Sequence, residues 1–293
     1  MRITASLLPR LAAGLALAIS IATSAPADSP LDQLNGTVAD IEQRLGARVG
    51  LTLIDTGSDR AWTHRADERF LMNSTMKLAL CGAILARRDA GTLSLDDTLA
   101  VRASDILDYA PVTELRTGED MTLDELCLAA LDQSDNTAAN LLIARLGGPQ
   151  TVTDFLRDSG DDVSRLDRLE PKLNTFAADD PRDTTTPRAM ADTLRTLFLG
   201  DVLSAASRRQ LADWTSHGAV TGKHLRRVAP AEWAIFDKSG AGNQTRNLVA
   251  MVSPEGRAPW IVTLFISDAE VDFATRDAAL QDLSAAVVAV IKG

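Results

Sequence analysis

The sequence is poor in histidine, cysteine and aromatic residues, and each shortage excludes a kind of site. Its 293 residues include three histidines and two cysteines, and aromatic side chains make up 4% of the chain. His64, His217 and His224 are not spaced as metal ligands, so a zinc hydrolase is not expected. None of the three lies in a recognisable Ser-His-Asp context. Hydrolytic chemistry would therefore need another base, and no metal or other cofactor is expected.

Positive charge is also scarce, since 40 acidic residues outnumber 30 basic ones and the net charge is −10. Binding to nucleic acid needs a basic face, so no nucleic-acid partner is expected. Hydrophobic residues make up 45% of the chain, which excludes a disordered protein.

An apolar run lies at the N-terminus, where residues 11–21 follow Arg10 and small residues lead to an A-x-A motif at 25–27. This pattern is typical of a secretory signal peptide, and the run is too short to span a bilayer. We expect residues 1–27 to be removed by cleavage near Ala27. The mature protein would then be periplasmic or secreted, without a stable membrane anchor.

Strand patterns occur near both ends of the chain, and helical patterns lie between them. Val49, Leu51 and Leu53 alternate within the segment 48–55, which predicts a half-buried strand. Further strands are predicted at 233–238, 246–252 and 260–266. Helices are predicted from Ser74 to Gly91, from a capping box at 122–125, at 136–146, from Thr186 to Gly200, at 205–214 and at 272–291. The simplest assembly is a sheet built from both chain ends with a helical block inserted.

Four short motifs could carry chemistry, and each also has an ordinary structural interpretation. The first, S-x-x-K, puts Ser74 and Lys77 on one face at the start of a buried helix, where hydroxyl and amine can meet. Burial lowers the pKa of a lysine, so such a pair could support nucleophilic catalysis without histidine. A single S-x-x-K is, however, expected by chance in a chain of this length.

The second and third motifs are S-D-N at 134–136, between two helices, and K-S-G at 238–240, at the end of a strand. Asn136 could simply cap the second helix, or the loop could present a hydroxyl and an amide to a cleft. The K-S-G segment is either a solvated strand end or a lysine and a hydroxyl that hold a substrate carboxylate. In the second case Gly240 would permit close approach of the backbone.

The fourth motif, Glu170-x-x-Leu173-Asn174, lies in a polar stretch at 165–187 that has little regular pattern. Such a stretch is either a solvated loop or a functional one. The joint occurrence of all four motifs in this order favours the functional interpretation over chance.

In this order the motifs resemble those of class A serine β-lactamases. The likeness to the TEM-type enzymes of that family covers essentially the whole mature chain. It extends through SDNTAANLL (134–142), RLDRLEPKLN (165–174), RDTTTP (182–187) and DKSGAG (237–242). The resemblance implies a hydrolase that opens the β-lactam amide of a small-molecule substrate through an acyl-enzyme and so gives resistance to β-lactam antibiotics.

The resemblance implies an α+β sandwich of the β-lactamase/transpeptidase type. A five-stranded antiparallel sheet with flanking helices would carry an inserted all-helical domain. The implied sheet-containing domain comprises 28–66 and 217–293. The helical domain would span 67–216 and include an Ω-loop at 165–183, with the active site between the two domains.

The resemblance also implies a role for each motif residue. Ser74 would be the acylated nucleophile, activated by Lys77 or Glu170. Glu170 and Asn174 would hold the water that deacylates the enzyme. Backbone N–H groups of Ser74 and Ala241 would form the oxyanion hole. The other implied residues are Ser134, which would relay a proton to the lactam nitrogen, and the substrate-binding residues Tyr109, Asn136, Lys238, Ser239, Gly240, Ala241 and Arg246.

Two further pairs are implied by the resemblance. Arg168 and Asp183 would form a salt bridge that pins the Ω-loop, and the alternative is two exposed charges worth little. Cys81 and Cys127 would form a disulfide, since export makes oxidation plausible, and the alternative is two buried free thiols. The peptide bond after Glu170 would be cis.

The chain departs from the TEM-type pattern next to the nucleophile and in one hairpin. Asn73 stands where those enzymes carry methionine, and the hairpin at 241–246 is about one residue shorter, with Asp277 expected to pair with Arg246. Carbapenem-hydrolysing relatives often carry a cysteine pair at the positions of Asn73 and Gly242, so no such bridge is expected. The expected substrates are penicillins and early cephalosporins.

Two other functions share the first three motifs. One is a D-alanyl-D-alanine carboxypeptidase or penicillin-binding protein of the same fold, and the other is a non-catalytic penicillin sensor. The Glu170-x-x-Leu173-Asn174 motif argues against both, because a stalled acyl-enzyme needs no second base. Relatives of the resembled family act as monomers, so a monomer is expected.

Overall fold

The computed structural model describes Met1 and residues 28–293, so the predicted signal peptide lies outside the described residues apart from Met1. The described part of the chain contains nine α-helices: α1 (Pro30–Leu45), α2 (Lys77–Asp89), α3 (Leu123–Asp132), α4 (Asn136–Leu146), α5 (Pro149–Asp158), α6 (Pro187–Leu199), α7 (Ala205–Trp214), α8 (Leu225–Val228) and α9 (Phe273–Lys292). Its strands are β1 (Arg48–Asp55), β2 (Arg60–His64), β3 (Phe70–Leu71), β4 (Thr98–Ala100), β5 (Asp120–Thr122), β6 (Thr184–Thr185), β7 (Ala234–Ala241), β8 (Arg246–Ser253) and β9 (Trp260–Ser267). None of the helices in this part of the chain is long and apolar enough to cross a membrane.

Five of the strands form one antiparallel sheet in the order β2-β1-β9-β8-β7. The register runs from Arg48 opposite Ser267 to Asp55 opposite Trp260, so the first strand of the chain lies beside the last. This confirms the expected sheet, built from both chain ends with a helical block inserted between them. Strand β7 forms one edge of the sheet, and its outer side is turned toward the helical block.

The sheet is buried on both faces, which explains its nearly continuous apolar strands. Leu248 and Ala250 of β8 belong to a core shared with α1 and α9. Val249 and Met251 belong to a second core shared with the helical block. This alternation follows from the two-residue period of a strand. Strand β1, predicted to be half-buried, is buried on both faces for the same reason.

The structure confirms most of the predicted helices and corrects the helix that carries the S-x-x-K motif. The capping box of α3 is present, with the Thr122 side chain accepting from the backbone of Glu125. Helix α2 begins at Lys77 rather than Ser74, because the four residues Asn73–Met76 form a 3₁₀ turn before it. Helices α1 and α5 and strand β2 were not predicted.

The S-D-N motif caps helix α4 through a different residue from the one predicted. The side chain of Asp135, not that of Asn136, accepts a hydrogen bond from Ala138 N at 2.8 Å. The same buried carboxylate accepts from the backbone N–H groups of Val112 and Thr113. Asn136 is thereby free of the capping role and becomes the first residue of the helix.

The structure does not contain the implied disulfide. Cys81 in α2 and Cys127 in α3 are free thiols without exposed surface. The Cys81 sulfur lies 3.9 Å from the carbonyl oxygen of Cys127. Burial raises the pKa of the Cys127 thiol, and oxidation proceeds through the thiolate. The pair therefore serves as two small apolar side chains of the core.

Candidate active site

A cleft of about 670 Å³ lies between edge strand β7 and the helical block. It collects residues from distant parts of the sequence, including the predicted residues Ser74, Tyr109, Ser134, Asn136, Asn174, Ser239, Gly240, Ala241 and Arg246. Tyr109 is about half exposed, at 49%, in the cleft wall. Lys77, Glu170 and Lys238 are buried just behind these lining residues.

Ser74 lies on the 3₁₀ turn, where it faces the end of β7. The approach is close, since a Cβ atom on Gly240 would lie 2.9 Å from Met72 O and 3.2 Å from Ser74 N. Only glycine permits this contact without a shift. This close approach holds the Gly240 backbone of β7 beside the backbone N–H of Ser74.

Lys77 is fully buried and its amine is surrounded by oxygen atoms. The Nζ atom donates to Ser134 O and to Asn136 Oδ1, both at 2.8 Å. It also lies 3.3 Å from Glu170 Oε1. Burial lowers the pKa of the Lys77 ammonium, and the Glu170 carboxylate opposes part of that shift. An amine with a lowered pKa, next to a carboxylate, can exchange a proton with its surroundings.

Ser134 lies between the two buried lysines. Its carbonyl oxygen accepts from Lys77, and its hydroxyl oxygen accepts from Lys238 Nζ at 2.9 Å. Ser134 adopts φ = +60°, a left-handed conformation that turns the loop sharply between α3 and α4. Burial, together with the positive charges of Lys77 and Arg246, holds the pKa of Lys238 well below its usual range. Three basic side chains, Lys77, Lys238 and Arg246, thus converge at this cleft in a protein that is acidic overall.

Glu170 is held in the Ω-loop by contacts on both its backbone and its side chain. Asn140 Nδ2 donates to the Glu170 carbonyl at 3.0 Å, and Glu170 N donates to Asn140 Oδ1 at 2.9 Å. Asn174 Nδ2 donates to Glu170 Oε2 at 2.6 Å. The Glu170-Pro171 peptide is cis, as the resemblance implied. The carboxylate consequently has a fixed position beside Lys77.

Arg168 and Asp183 form an ion pair at the base of the Ω-loop. Asp183 is fully buried, and its Oδ1 atom also accepts from the backbone N–H groups of Asp167 at 2.7 Å and Arg168 at 2.9 Å. The interpretation as two exposed charges is therefore wrong, and the pair ties one end of the loop to the other.

We expect Asp183→Asn to destabilise the protein by about 3 kcal/mol, because a largely buried cation loses its hydrogen-bonded partner and keeps only Asp180, at 3.9 Å. The substitution keeps an oxygen for the two backbone donors and tolerates the left-handed backbone at this position, so it isolates the ion pair. The measurement is the free energy of unfolding from denaturant titration. The matched control is Asp67→Asn, which breaks an exposed pair with Arg188 and should have little effect. Equal effects of the two substitutions would contradict the structural role of the buried pair.

Arg246 lines the cleft at the start of β8, and neighbouring residues hold its guanidinium in place. Its Nε atom donates to Asp277 Oδ1 and its Nη1 atom to Gly240 O, each at 2.9 Å. Asp277 also contacts His224 Nε2 at 3.0 Å. Burial and the positive charge of Arg246 lower the pKa of His224, which favours the neutral imidazole. The shorter hairpin therefore still delivers the arginine to the cleft.

Several residues of this site belong to none of the four sequence motifs. Asn140 lies one helical turn after Asn136, and this i, i+4 spacing could have identified it. Lys223 and Phe273 also line the cleft, with the Lys223 ammonium 5.5 Å from the centre of the Phe273 ring. Neither belongs to a motif, since they come from the segment before α8 and the first turn of α9.

Comparison with known proteins gives a consistent result. Residues 33–291 match the family described as "Beta-lactamase enzyme family". The chain is 61% identical to a beta-lactamase from Rhodobacter capsulatus over 292 residues, covering 100% of both chains. Its sequence is also 46% identical to that of a beta lactamase from Xanthomonas campestris of known crystal structure. The two structures align with a TM-score of 0.86, covering 90% of this chain and 99% of that one. An ancestral class A beta-lactamase structure is 49% identical with a TM-score of 0.84, covering 88% and 99% of the respective chains.

Proposed function

The chain belongs to the beta-lactamase enzyme family, as a class A serine β-lactamase, and from this we propose which residues perform each step of its reaction. The enzyme hydrolyses β-lactams and so confers resistance to these antibiotics. The observation that carries the proposal is the buried amine of Lys77, held 3.3 Å from the Glu170 carboxylate and one helical turn from Ser74.

In the acylation step, Ser74 Oγ attacks the carbonyl carbon of the β-lactam amide and loses its proton to a base. Lys77 and Glu170 are both candidates for that base, and their mutual contact lets a proton taken by one reach the other. The carbonyl oxygen becomes an oxyanion, which the backbone N–H groups of Ser74 and Ala241 stabilise. The close approach of Gly240 to Ser74 N supports this pairing of donors.

Cleavage of the carbon–nitrogen bond requires a proton on the departing lactam nitrogen, and we assign its delivery to the hydroxyl of Ser134. The contact between Lys238 Nζ and the Ser134 hydroxyl supports this role, since that amine can replace the proton, and the bond from Lys77 to the Ser134 carbonyl holds the loop in place. We assign the negatively charged carboxylate of the substrate to Lys238 and Ser239 of β7 and to Arg246 of β8. Asn136 would bind the acylamide group, with Tyr109 at the rim.

Deacylation needs a water molecule and a base that removes its proton. We propose that Glu170 and Asn174 hold this water, which gives a proton to Glu170, attacks the ester carbon and displaces Ser74 Oγ. The serine oxygen regains its proton from the Lys77–Glu170 pair. The 2.6 Å contact between the Glu170 and Asn174 side chains and the bonds from Asn140 to the Glu170 backbone support this role. A base must be held to within a fraction of an ångström to act, and these contacts supply that precision.

We expect penicillins and early cephalosporins to be hydrolysed much faster than imipenem or ceftazidime. The narrow range follows from Gly242 and the intact Arg168–Asp183 pair, which keep the strand edge and the Ω-loop close to the nucleophile. The measurement is kcat/KM for each drug, with nitrocefin hydrolysis by the same preparation as the reference. Rapid hydrolysis of imipenem or ceftazidime would contradict this range.

We further propose that residues 1–27 are a signal peptide and that the mature enzyme is a periplasmic or secreted monomer. The sheet-containing parts, 28–66 and 217–293, would form one domain and residues 67–216 the other. The position of the cleft between the sheet edge and the helical block supports this division.

A further inference from the structure

Asn73, the residue before the nucleophile, has a polar side chain but no exposed surface. Its backbone adopts φ = +49°, a left-handed conformation that asparagine tolerates better than most residues. A buried amide group must find hydrogen-bond partners, because leaving it without them is costly. The partners of Asn73 therefore indicate why a polar residue occupies this position.

The side chain of Asn73 connects the sheet to the Ω-loop. Its Oδ1 atom accepts from Thr245 Oγ1, just before β8, at 2.8 Å and from Asn247 Nδ2, at the start of β8, at 2.9 Å. Its Nδ2 atom donates to Asn174 Oδ1 in the loop at 3.0 Å. A Cβ atom on Gly242 would lie 2.8 Å from Asn73 Nδ2, so the absence of a side chain there leaves room for this link.

The Asn247 amide also determines which way the next two amides point. Its nitrogen donates to the backbone carbonyl of Leu71 at 2.8 Å as well as to Asn73, so the Asn73 oxygen faces Asn247 and the Asn73 nitrogen faces the loop. An N–H donor needs an acceptor, so the oxygen of the Asn174 amide faces Asn73. The Asn174 nitrogen is then left to donate to Glu170 Oε2. With the Asn174 amide reversed, its oxygen would face the carboxylate oxygen and the hydrogen bond would be lost.

We propose that Asn73 is a positioning residue for deacylation, which orients the Asn174 amide and through it the Glu170 carboxylate. Asn73 does not touch the reacting atoms. Oδ1 of Asn174 retains a second lone pair that can accept from the hydrolytic water. The inference rests on the proposed role of Glu170 and Asn174 in deacylation and adds a residue outside the shared motifs to that step.

The test is Asn73→Asp, which keeps the shape of the side chain but replaces its donor by an acceptor, with Asn73→Ala as a second variant. Rate constants of acylation and deacylation are measured separately with a penicillin by rapid quench and intact-mass spectrometry. Both variants should deacylate at least about tenfold more slowly, while acylation changes by less than about threefold. Acyl-enzyme should therefore accumulate at steady state. Thermal unfolding of each variant checks that it is folded.

The pH dependence of the deacylation rate constant distinguishes a positioning role of Asn73 from a purely structural one, because a purely structural defect would not change with pH. The carboxyl group introduced by Asn73→Asp can donate to Asn174 only when it is protonated. The deacylation defect, relative to the parent enzyme at each pH, should therefore shrink as the pH falls. The matched control is Asn243→Asp, which adds the same charge on the exposed part of the hairpin and should leave both rate constants unchanged.

A double variant separates this inference from the mechanism on which it rests. If Asn73 acts through Glu170, adding Asn73→Asp to Glu170→Ala should slow deacylation no further. Unchanged deacylation in a folded Asn73→Asp protein, equal losses in both steps, or a defect independent of pH would overturn the role of Asn73. Failure of Glu170→Ala to accumulate acyl-enzyme would instead contradict the proposed role of Glu170.

Discussion

Replacing Ser74 with alanine should lower the rate of β-lactam hydrolysis by about a thousandfold or more, the loss typical of a missing nucleophile. The substitution removes the only atom through which the acyl-enzyme of the proposed mechanism can form. Lys77 and Glu170 would remain in contact, but the proton they receive in acylation would have no source. The measurement is steady-state hydrolysis of nitrocefin, together with intact mass after incubation with a penicillin.

The control for this substitution is Ser58→Ala, which removes an exposed hydroxyl at the turn between β1 and β2. This variant should hydrolyse nitrocefin at the parent rate.

The same assay separates the three functions that share the motifs. A carboxypeptidase would release D-alanine from peptide and turn over penicillin slowly, and a sensor would bind penicillin once without turnover. Rapid hydrolysis by Ser74→Ala would show that Ser74 is not the nucleophile.

Replacing Glu170 with alanine should leave acylation measurable but slow deacylation by about a hundredfold to ten-thousandfold, the usual contribution of a general base. The reason is that Glu170 is the buried carboxylate that Asn174 and Lys77 hold in place, and none of the described residues that line the cleft is a histidine. The acyl-enzyme should accumulate. Intact-mass spectrometry of the protein after mixing with a penicillin should show an adduct of the drug mass.

Glu255→Ala is the matched control, because it removes an exposed glutamate at the turn between β8 and β9. This variant should show no lasting adduct. Absence of a trapped adduct in Glu170→Ala, combined with retained turnover, would exclude Glu170 as the deacylation base. A complete loss of acylation would instead favour Glu170 over Lys77 as the base of the first step.

The sequence predicted helices and strands accurately where neighbouring residues carry the signal. Strand β1, helix α4 and helix α7 have the predicted bounds, because apolar periodicity and a terminal cap are properties of neighbouring residues. Helix α1 was not predicted, although its start carries two local signals. Ser29 and Asp32 form a capping box, and Pro30 lies in the first turn. Strand β2 was missed for a different reason. It lies at the sheet edge with mostly exposed residues and has little apolar pattern.

Contacts between distant segments could not be obtained from pattern alone. Ser134 and Lys238 are 104 residues apart, and Asn73 and Asn247 are 174 residues apart, yet each pair is joined by a hydrogen bond. The residues of a motif do not indicate which atom from a distant part of the sequence each side chain will contact. The same limit explains the cysteines, since resemblance suggested a bond that the structure does not form.

The sequence alone determined the class of chemistry. Its few histidines excluded a histidine base, and four motifs in a fixed order supplied a serine, two lysines and a glutamate in their place. The tertiary structure alone decided how these groups act on one another, because pKa values, hydrogen-bond polarity and burial depend on what surrounds each group in space. In the folded protein Lys77 and Glu170 form a buried pair. Asn73, which the sequence shows only as a departure from the TEM-type pattern, links the sheet to the Ω-loop.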